Sequence, residues 1–311
     1  MILDIKSKSK SIKSLSSDEF TPTSFTNDLI EVIAKDNNLN KNRIRITSEN
    51  EKGKTVLAIN KTFKQLGISD DSQLIVKDLG PQIDWKTVFV IEYLGPIIFH
   101  SIFFYGYHSF FNEYQNTTAQ IVLYDLSLLH FTKREYETLF VHKFSNATMP
   151  VKNIFKNSFH YWILNGVLCS AFVYVPETLE YSKNTLVRWA FSSFDWSPSF
   201  IILWSVLIIF CEFSNYLTHV NLSSLRDKNP KNYEIPFGYG FNWVSCPNYF
   251  FEIMSFVGFS ILSGNWTYIL FTLVASVQMY IWAVGKHKRY LKTFGDDYKK
   301  LNRKVLVPFI L

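Results

Sequence analysis

The sequence predicts a multi-pass α-helical membrane bundle of about six to seven transmembrane helices behind a small polar domain, and two observations carry that prediction. The first is a change of composition near Gly80-Pro81. Residues 1–80 are rich in Lys, Ser, Asn and Asp, whereas 81–311 hold long runs of Phe, Tyr, Trp, Ile and Leu. The chain-wide 48% apolar and 17% aromatic content over 311 residues averages these two parts. The second is the placing of charge. A formal charge of +6 raises nucleic acid as a partner, but no nucleic-acid motif is present and the basic residues flank apolar runs. Membrane orientation accounts for them.

In the first part, Ile2 to Lys6 alternates like a strand, and Phe25, Leu29 and Ile33 mark one face of a helix for which Thr23 or Ser24 is an available cap. Strand-like runs follow at Asn42–Thr47, Thr55–Ile59 and Gln73–Asp78, interrupted by a turn at Phe63–Leu66. This order, ββαββ with a closing strand, resembles a ubiquitin-like β-grasp over residues 1–80. No nucleophile or phosphate-binding loop is visible there, so docking or stabilisation is the expected role. The first eight residues lack a continuous apolar stretch and a small-residue cleavage site, which predicts a cytosolic N-terminus. Cys169, Cys211 and Cys246 are odd in number, have no CxxC spacing and lie in or beside apolar segments, so neither a disulfide framework nor a zinc site is expected.

In the second part, 81–311, candidate spans of the roughly 20 apolar residues a bilayer requires fall near 86–108, 118–132, 158–176, 198–220, 247–263 and 266–285. The second is short and carries Asp125; the stretch 136–157 leaves room for a seventh, buried or re-entrant helix. Positive residues collect on the cytosolic side of short loops. Lys133, Arg134, Lys143, Lys152 and Lys156 fall in one connection, Arg226, Lys228 and Lys231 in another, and Lys286, Lys288 and Arg289 after the last span. These alternate with sparsely basic connections, so both termini are predicted to be cytosolic.

Ionisable groups inside apolar helices are costly and need partners, which makes Glu92 a site candidate. The plainer alternative is a carboxylate snorkelling to the interface. Asn215 closes a span. Asn248, Tyr249 and Glu252 sit one and three or four residues apart on a helix that Pro247 starts, so they can converge on one ligand. Each has an ordinary explanation too: a cap, an interfacial aromatic and a first-turn charge. The run Lys286-His287-Lys288-Arg289-Tyr290 reads by itself as a basic collar.

From about Asp78 to Leu311 the chain resembles the very-long-chain trans-2-enoyl-CoA reductases, a branch of the steroid 5α-reductase superfamily. The resemblance rests on Val76 to Ile83, Glu92-Tyr93-Leu94-Gly95-Pro96, Glu137 to Ser145 with Ala147 to Pro150, Asn153 to Asn157, Val244 to Tyr249, Lys286 to Lys292 and Val307 to Leu311, all in order. The β-grasp start is also similar to that branch.

The resemblance implies NADPH-dependent reduction of a trans-2-enoyl-CoA to the saturated acyl-CoA, the last step of very-long-chain fatty acid elongation, in the endoplasmic reticulum membrane. It implies Tyr249 as proton donor and Glu92 as the second catalytic residue, orienting Tyr249 or holding the thioester region. It implies Asn215, Arg226, Tyr233, Asn248, Glu252, His287 and Tyr290 around NADPH, with no metal. Arg134 and Lys143 are further candidates for phosphate charge. His219 stands where the superfamily commonly has Asp, and Glu234 where relatives tend to be basic. No GxGxxG is present, so a helical-bundle pocket replaces a Rossmann site. Implied partners are the condensing enzyme, the ketoacyl-CoA reductase and the hydroxyacyl-CoA dehydratase. Two rivals stand beside this reading: a steroid or polyprenol reductase of the same superfamily, and a non-enzymatic membrane scaffold with a docking domain.

Overall fold

The computed structural model describes residues 2–50, 53–70, 72–110, 115–143, 147–175, 185–191, 196–228 and 233–310. Two compact units are present, Met1–Trp85 with Ser145–Asn153, and Lys86–Phe144 with Ile154–Leu311. The segment Ser145–Asn153 therefore belongs with the first unit, although it follows two helices of the second.

The first unit holds β1 (Leu3–Ser7), β2 (Leu15–Ser17), α1 (Thr26–Asp36), β3 (Ile44–Asn50), β4 (Gly53–Val56), the short α2 (Phe63–Leu66) and β5 (Gln73–Asp78). They form a five-stranded sheet in the order β2-β1-β5-β3-β4, with β1 and β5 parallel and the other pairs antiparallel. Period-two alternation places Leu3, Ile5, Ile44, Ile46, Leu74 and Val76 on one face, where they pack with Leu29, Ile30 and Ile33 of α1. Such burial of several large aliphatics, about 1.5–3 kcal/mol each, holds the helix on the sheet. The expected cap is displaced by one residue. Phe25 occupies the cap position, and Asp28 accepts from the Phe25 amide at 2.8 Å, because Ser24 Oγ is already accepting from Thr21 N. A second ladder pairs β6 (Gln82–Asp84) with β7 (Thr148–Pro150), and Trp85 Nε1 donates to Thr148 O at 3.1 Å.

The second unit is helical. It contains α3 (Trp85–Phe110), α4 (Thr118–Tyr136), α5 (Lys152–Ser158), a π-wound continuation Phe159–Cys169 ending in α6 (Ser170–Val173), α7 (Thr185–Phe191), α8 (Pro198–Lys228), α9 (Pro247–Ser263) and α10 (Trp266–Phe294). Among the described residues three helical stretches, Trp85–Tyr107, Pro198–Arg226 and Trp266–Phe294, are long and apolar enough to cross a membrane. Their surfaces agree: Ile202, Leu203 and Val206 on α8 and Leu273, Val277 and Ile281 on α10 are exposed. Pro247 begins α9, where its missing N–H costs nothing, and Gly264 ends it at φ +58°. Asn265 then caps α10, accepting from Thr267 N at 3.0 Å. The core between these helices is built from Phe104, Leu123, Tyr124, Tyr174, Ile208, Phe256, Phe259, Tyr268 and Phe271.

The structure corrects the reading of the first basic connection. Lys133 and Arg134 are not loop residues; both lie within α4 and are largely buried, because each has carboxylates to pair with. Lys231 and most of the predicted loop 176–197 lie outside the described residues.

Candidate active site

A cavity of about 540 Å³ opens inside the second unit, lined by residues from α3, α4, α5 and its continuation, α8, α9 and α10. Its polar wall includes Glu92, Tyr93, Arg134, His219, Asn248, Tyr249 and Glu252; its apolar wall includes Phe159, Leu164, Phe256, Phe271, Val274 and Met279.

Glu92 is 1% exposed. Its turn of α3 is fixed by Trp162, whose indole donates to Ile91 O at 2.8 Å. Gly95 permits that approach, since a Cβ there would lie 2.1 Å from the Trp162 ring. Next to Glu92, the Tyr93 hydroxyl accepts from Arg134 Nη2 at 2.9 Å, and the guanidinium lies 5.1 Å from the Tyr93 ring centroid.

The polar wall rests on three helix faces. Helical spacing of three and four residues aligns His130, Lys133, Arg134 and Glu137 at one side of α4 and its π-wound continuation Glu137–Val141, Glu212, Asn215 and His219 on α8, and Asn248, Glu252 and Ser255 on α9. They interlock. Lys133 Nζ lies 2.7 Å from Glu212 Oε2 and donates to Asn215 Oδ1 at 2.7 Å. His130 Nδ1 is 2.8 Å from Glu212 Oε1, which also accepts from Ser255 Oγ. Asn215 Nδ2 donates to Asn248 O and to Glu252 Oε2, each at 2.9 Å. Arg134 Nη1 donates to Glu137 Oε2 at 2.6 Å, and His219 Nδ1 is 3.1 Å from the same oxygen. Buried charges survive only in such a paired arrangement.

Tyr249, at the start of α9, packs its ring 6.1 Å from Trp282 and 5.8 Å from Lys286 Nζ. The structure thus brings Glu92, Asn248, Tyr249, Glu252 and Arg226 to one cavity, with Asn215 directly behind it. The other three candidates are held apart from that wall. Tyr290 stacks on Tyr233 at 5.1 Å and on Tyr298 at 5.1 Å, while His287 Nδ1 meets Ser245 Oγ at 2.6 Å. Tyr233 lines a separate open cleft with Glu234 and Phe237. Sequence reasoning passed over Tyr93, His130, Glu137 and Glu212. The i, i+3, i+4, i+7 recurrence of polar residues in α4, matched in part on α8, was the signal that could have found them.

Glu137, His142 and His219 present ligand atoms all within 4.8 Å of one another. Arg134 already donates to Glu137, and Lys133 Nζ lies 3.8 Å from its other oxygen, so the local charge opposes a divalent cation.

Two buried acceptors at the cavity wall, Glu92 Oε2 and Asn248 Oδ1, have no hydrogen-bond partner among the described residues. Because such atoms are costly to leave unpaired, they mark where a polar ligand completes the wall. Apolar membrane-length helices around a concave, charged interior of this kind define an integral-membrane enzyme. Residues 147–311 match the 3-oxo-5-alpha-steroid 4-dehydrogenase family, and the chain belongs to that family. It is similar to the very-long-chain enoyl-CoA reductase of Dictyostelium discoideum, 38% identical over 100% of both chains. It is also 42% identical to a Schizosaccharomyces pombe protein named as an enoyl reductase, over 83% of this chain and 82% of that one. A Bos taurus protein named trans-2,3-enoyl-CoA reductase-like is 31% identical over 86% of this chain and 72% of its own.

Proposed function

We propose that this enzyme reduces the C2–C3 double bond of a long-chain trans-2-enoyl-CoA with NADPH, giving the saturated acyl-CoA at the end of the elongation cycle. The observation that carries the proposal is that Glu92 of α3 and Tyr249 of α9 line one cavity that has both a charged side and an apolar side. An acyl chain suits the Phe159, Leu164, Phe271 and Met279 side, and a thioester suits the carboxyl and phenol.

The residues present fit NADPH. The unpartnered Asn248 Oδ1 and the Asn215-held Glu252 offer acceptors, and Arg226, Lys143 and Lys156 at the same wall offer charge for phosphates. Tyr233, His287 and Tyr290 would extend the grip beyond the cavity. Bound NADPH supplies hydride for Cβ of the substrate. The protein's task is then the proton at Cα. Tyr249 donates it from its phenol, and the Lys286 ammonium, 5.8 Å from the ring, favours the phenolate left behind. Glu92 holds the thioester end in place for that transfer.

The wider setting belongs to the same proposal. The sheet order β2-β1-β5-β3-β4 with α1 on one face supports a ubiquitin-like β-grasp over residues 1–80. Helices α4 and α9 and the Phe159–Cys169 stretch, added to the three apolar helices, support the six to seven spans of residues 81–311. Basic residues in the last turns of α8, Arg226 and Lys228, and in the C-terminal part of α10, Lys286, Lys288 and Arg289, which lie inside that helix rather than after it, support cytosolic termini. Residence in the endoplasmic reticulum and work beside the condensing enzyme, ketoacyl-CoA reductase and hydroxyacyl-CoA dehydratase follow from the reaction proposed.

The test is NADPH oxidation by the purified full-length protein given a long trans-2-enoyl-CoA, with an enone lacking CoA as competitor. Turnover of the CoA ester that Tyr249→Phe nearly stops is the expected result. Preference for the enone would reassign the enzyme to steroid or polyprenol reduction, as the family description also allows, and unchanged turnover in Tyr249→Phe would remove the proton-donor role.

A further inference from the structure

The solvent face of the five-stranded sheet carries an arrangement that the proposed chemistry does not use. Alternation puts Leu74 and Val76 of β5 in the core, so Lys77 lies on the other face, together with Lys6 of β1, Arg45 and Thr47 of β3 and Ile75, which is itself buried there. Arg45 is directly opposite Lys77 in the antiparallel β3–β5 pair. On the other side of β5, Lys8 follows the last residue of β1 and continues the ladder through its amide, which donates to Val76 O at 3.0 Å. Lys8, Lys77 and Arg45 thus form a row of three cations on neighbouring strands, with Lys6 one pleat away. All four side chains are exposed, and none is ion-paired to a described residue.

Like charges directly opposite on adjacent strands repel, and here, among the described residues, no carboxylate stands between them. The acidic residues of the same face, Asp4 and Glu49, lie towards the opposite end, Asp4 facing Ser16 and Glu49 facing Lys54. A row of uncompensated charge on a flat sheet matches a flat surface of opposite sign. A bilayer with anionic lipids offers such a surface, and Trp85, the last residue of the first compact segment, is also the first residue of an apolar membrane-length helix. With no linker between them, lipid headgroups are present at high effective concentration. We infer that the Lys8–Lys77–Arg45 face of the sheet docks on anionic lipid headgroups of the membrane that the chain spans.

The test uses the full-length protein with Val56→Cys or, separately, Gln73→Cys as the labelled position on this face; the native Cys169, Cys211 and Cys246 are buried. A fluorophore at either position is measured in nanodiscs of phosphatidylcholine alone and of phosphatidylcholine with phosphatidylserine, each containing a headgroup quencher. Quenching should be roughly twofold or more greater in the anionic discs, since each basic residue near such a surface adds to the attraction. It should fall in high salt and in a Lys8→Glu, Lys77→Glu variant. Equal quenching in the two discs, or no response to charge reversal, overturns the inference. Protection of the label by soluble polyglutamate but not by phosphatidylserine overturns it in favour of an acidic protein partner.

Discussion

Lys133 of α4 and Glu212 of α8 meet at 2.7 Å, with side chains 14% and 4% exposed, and the same ammonium reaches Asn215 while the same carboxylate reaches His130 and Ser255. The pair is therefore the tie between the helix that bears Arg134 and the helix that bears Asn215. Removing one partner leaves the other charge buried, at a cost of roughly 3–5 kcal/mol. Glu212→Ala should lower the thermal unfolding temperature of the detergent-solubilised protein sharply. Lys133→Met combined with Glu212→Leu should recover much of the loss. A double variant as unstable as the sum of its parts would show that packing, rather than the uncompensated charge, sets the cost.

Asn215 links this tie to the cavity by donating to both Asn248 O and Glu252 Oε2. Asn215→Ala removes three side-chain hydrogen bonds, those to Asn248 O and Glu252 Oε2 and the one from Lys133 Nζ, and each buried group left unsatisfied costs about 1–3 kcal/mol. If Asn248 and Glu252 hold NADPH, the Kd for NADPH should rise by roughly tenfold or more, with a smaller change in KM for the enoyl-CoA. Equal changes for both ligands would show that Asn215 only supports the fold.

Three phenols border the cavity, Tyr93, Tyr161 and Tyr249, and the geometry separates the roles of the first and the last. Tyr93 is held by Arg134, whereas Tyr249 has Lys286 beside its ring. General acid catalysis contributes about 10²–10⁴-fold. Tyr249→Phe should lose at least the lower figure in kcat, while Tyr93→Phe should act mainly on KM. The reverse pattern would transfer the proton to Tyr93.

The sheet of the first unit was legible because Leu3 and Ile5 alternate with polar residues and the short apolar run Leu74 to Val76 is bounded by polar ones, as strands require. Gln73–Asp78 was located to the residue. The helix starts at Thr118, Pro198, Pro247 and Trp266 were also readable, from where apolar runs begin and from Pro and Asn at their thresholds. The site was legible only in part. Asn248, Tyr249 and Glu252 lie close in sequence, and Glu92 stands out against an apolar helix. Glu212, however, falls within an apolar run, and its partners Lys133 and His130 are some eighty positions away. Lys133 and Arg134 looked like loop cations because charge following an apolar run has the same pattern whether the chain is leaving the membrane or entering a buried ion network. Only the packing of α4 against α8 distinguishes them.

Gly240 precedes α9 at φ +74°, and a Cβ there would lie 2.6 Å from Pro247 Cβ. Both the backbone conformation and the contact forbid a side chain, and Pro247 sets the start of the helix that carries Asn248 and Tyr249. Gly240→Ala should cost about 1–3 kcal/mol and reduce turnover by displacing Tyr249. Gly285→Ala, within α10 and with open space around the added methyl, should be neutral or stabilising. Thermal unfolding of the two variants checks the contrast; an equally destabilising Gly285→Ala would contradict it.

In the first unit, Arg43 grips Asp78 with two bonds, Nε to Oδ1 at 3.1 Å and Nη2 to Oδ2 at 2.7 Å, and Ser11 Oγ and Gly80 N donate to the same carboxylate. The Arg43 bonds, outweighing partial burial, hold the Asp78 carboxyl well below the usual carboxylate range. A carboxyl whose pKa is depressed on folding stabilises the fold at every pH above its unfolded value of about 3.9, and that contribution is lost as pH falls through this value towards the folded one. Hydrogen-exchange protection of β5 in the full-length protein should therefore be level near neutrality and decline as pH drops below about 5. Asp78→Asn should start lower at neutral pH, because the charged partner of Arg43 is gone, and should show a shallower decline over the same acidic range. A variant whose protection falls as steeply with acid as the native chain would assign the acid sensitivity to other carboxylates and leave the Arg43–Asp78 pair without a measurable part in holding β5.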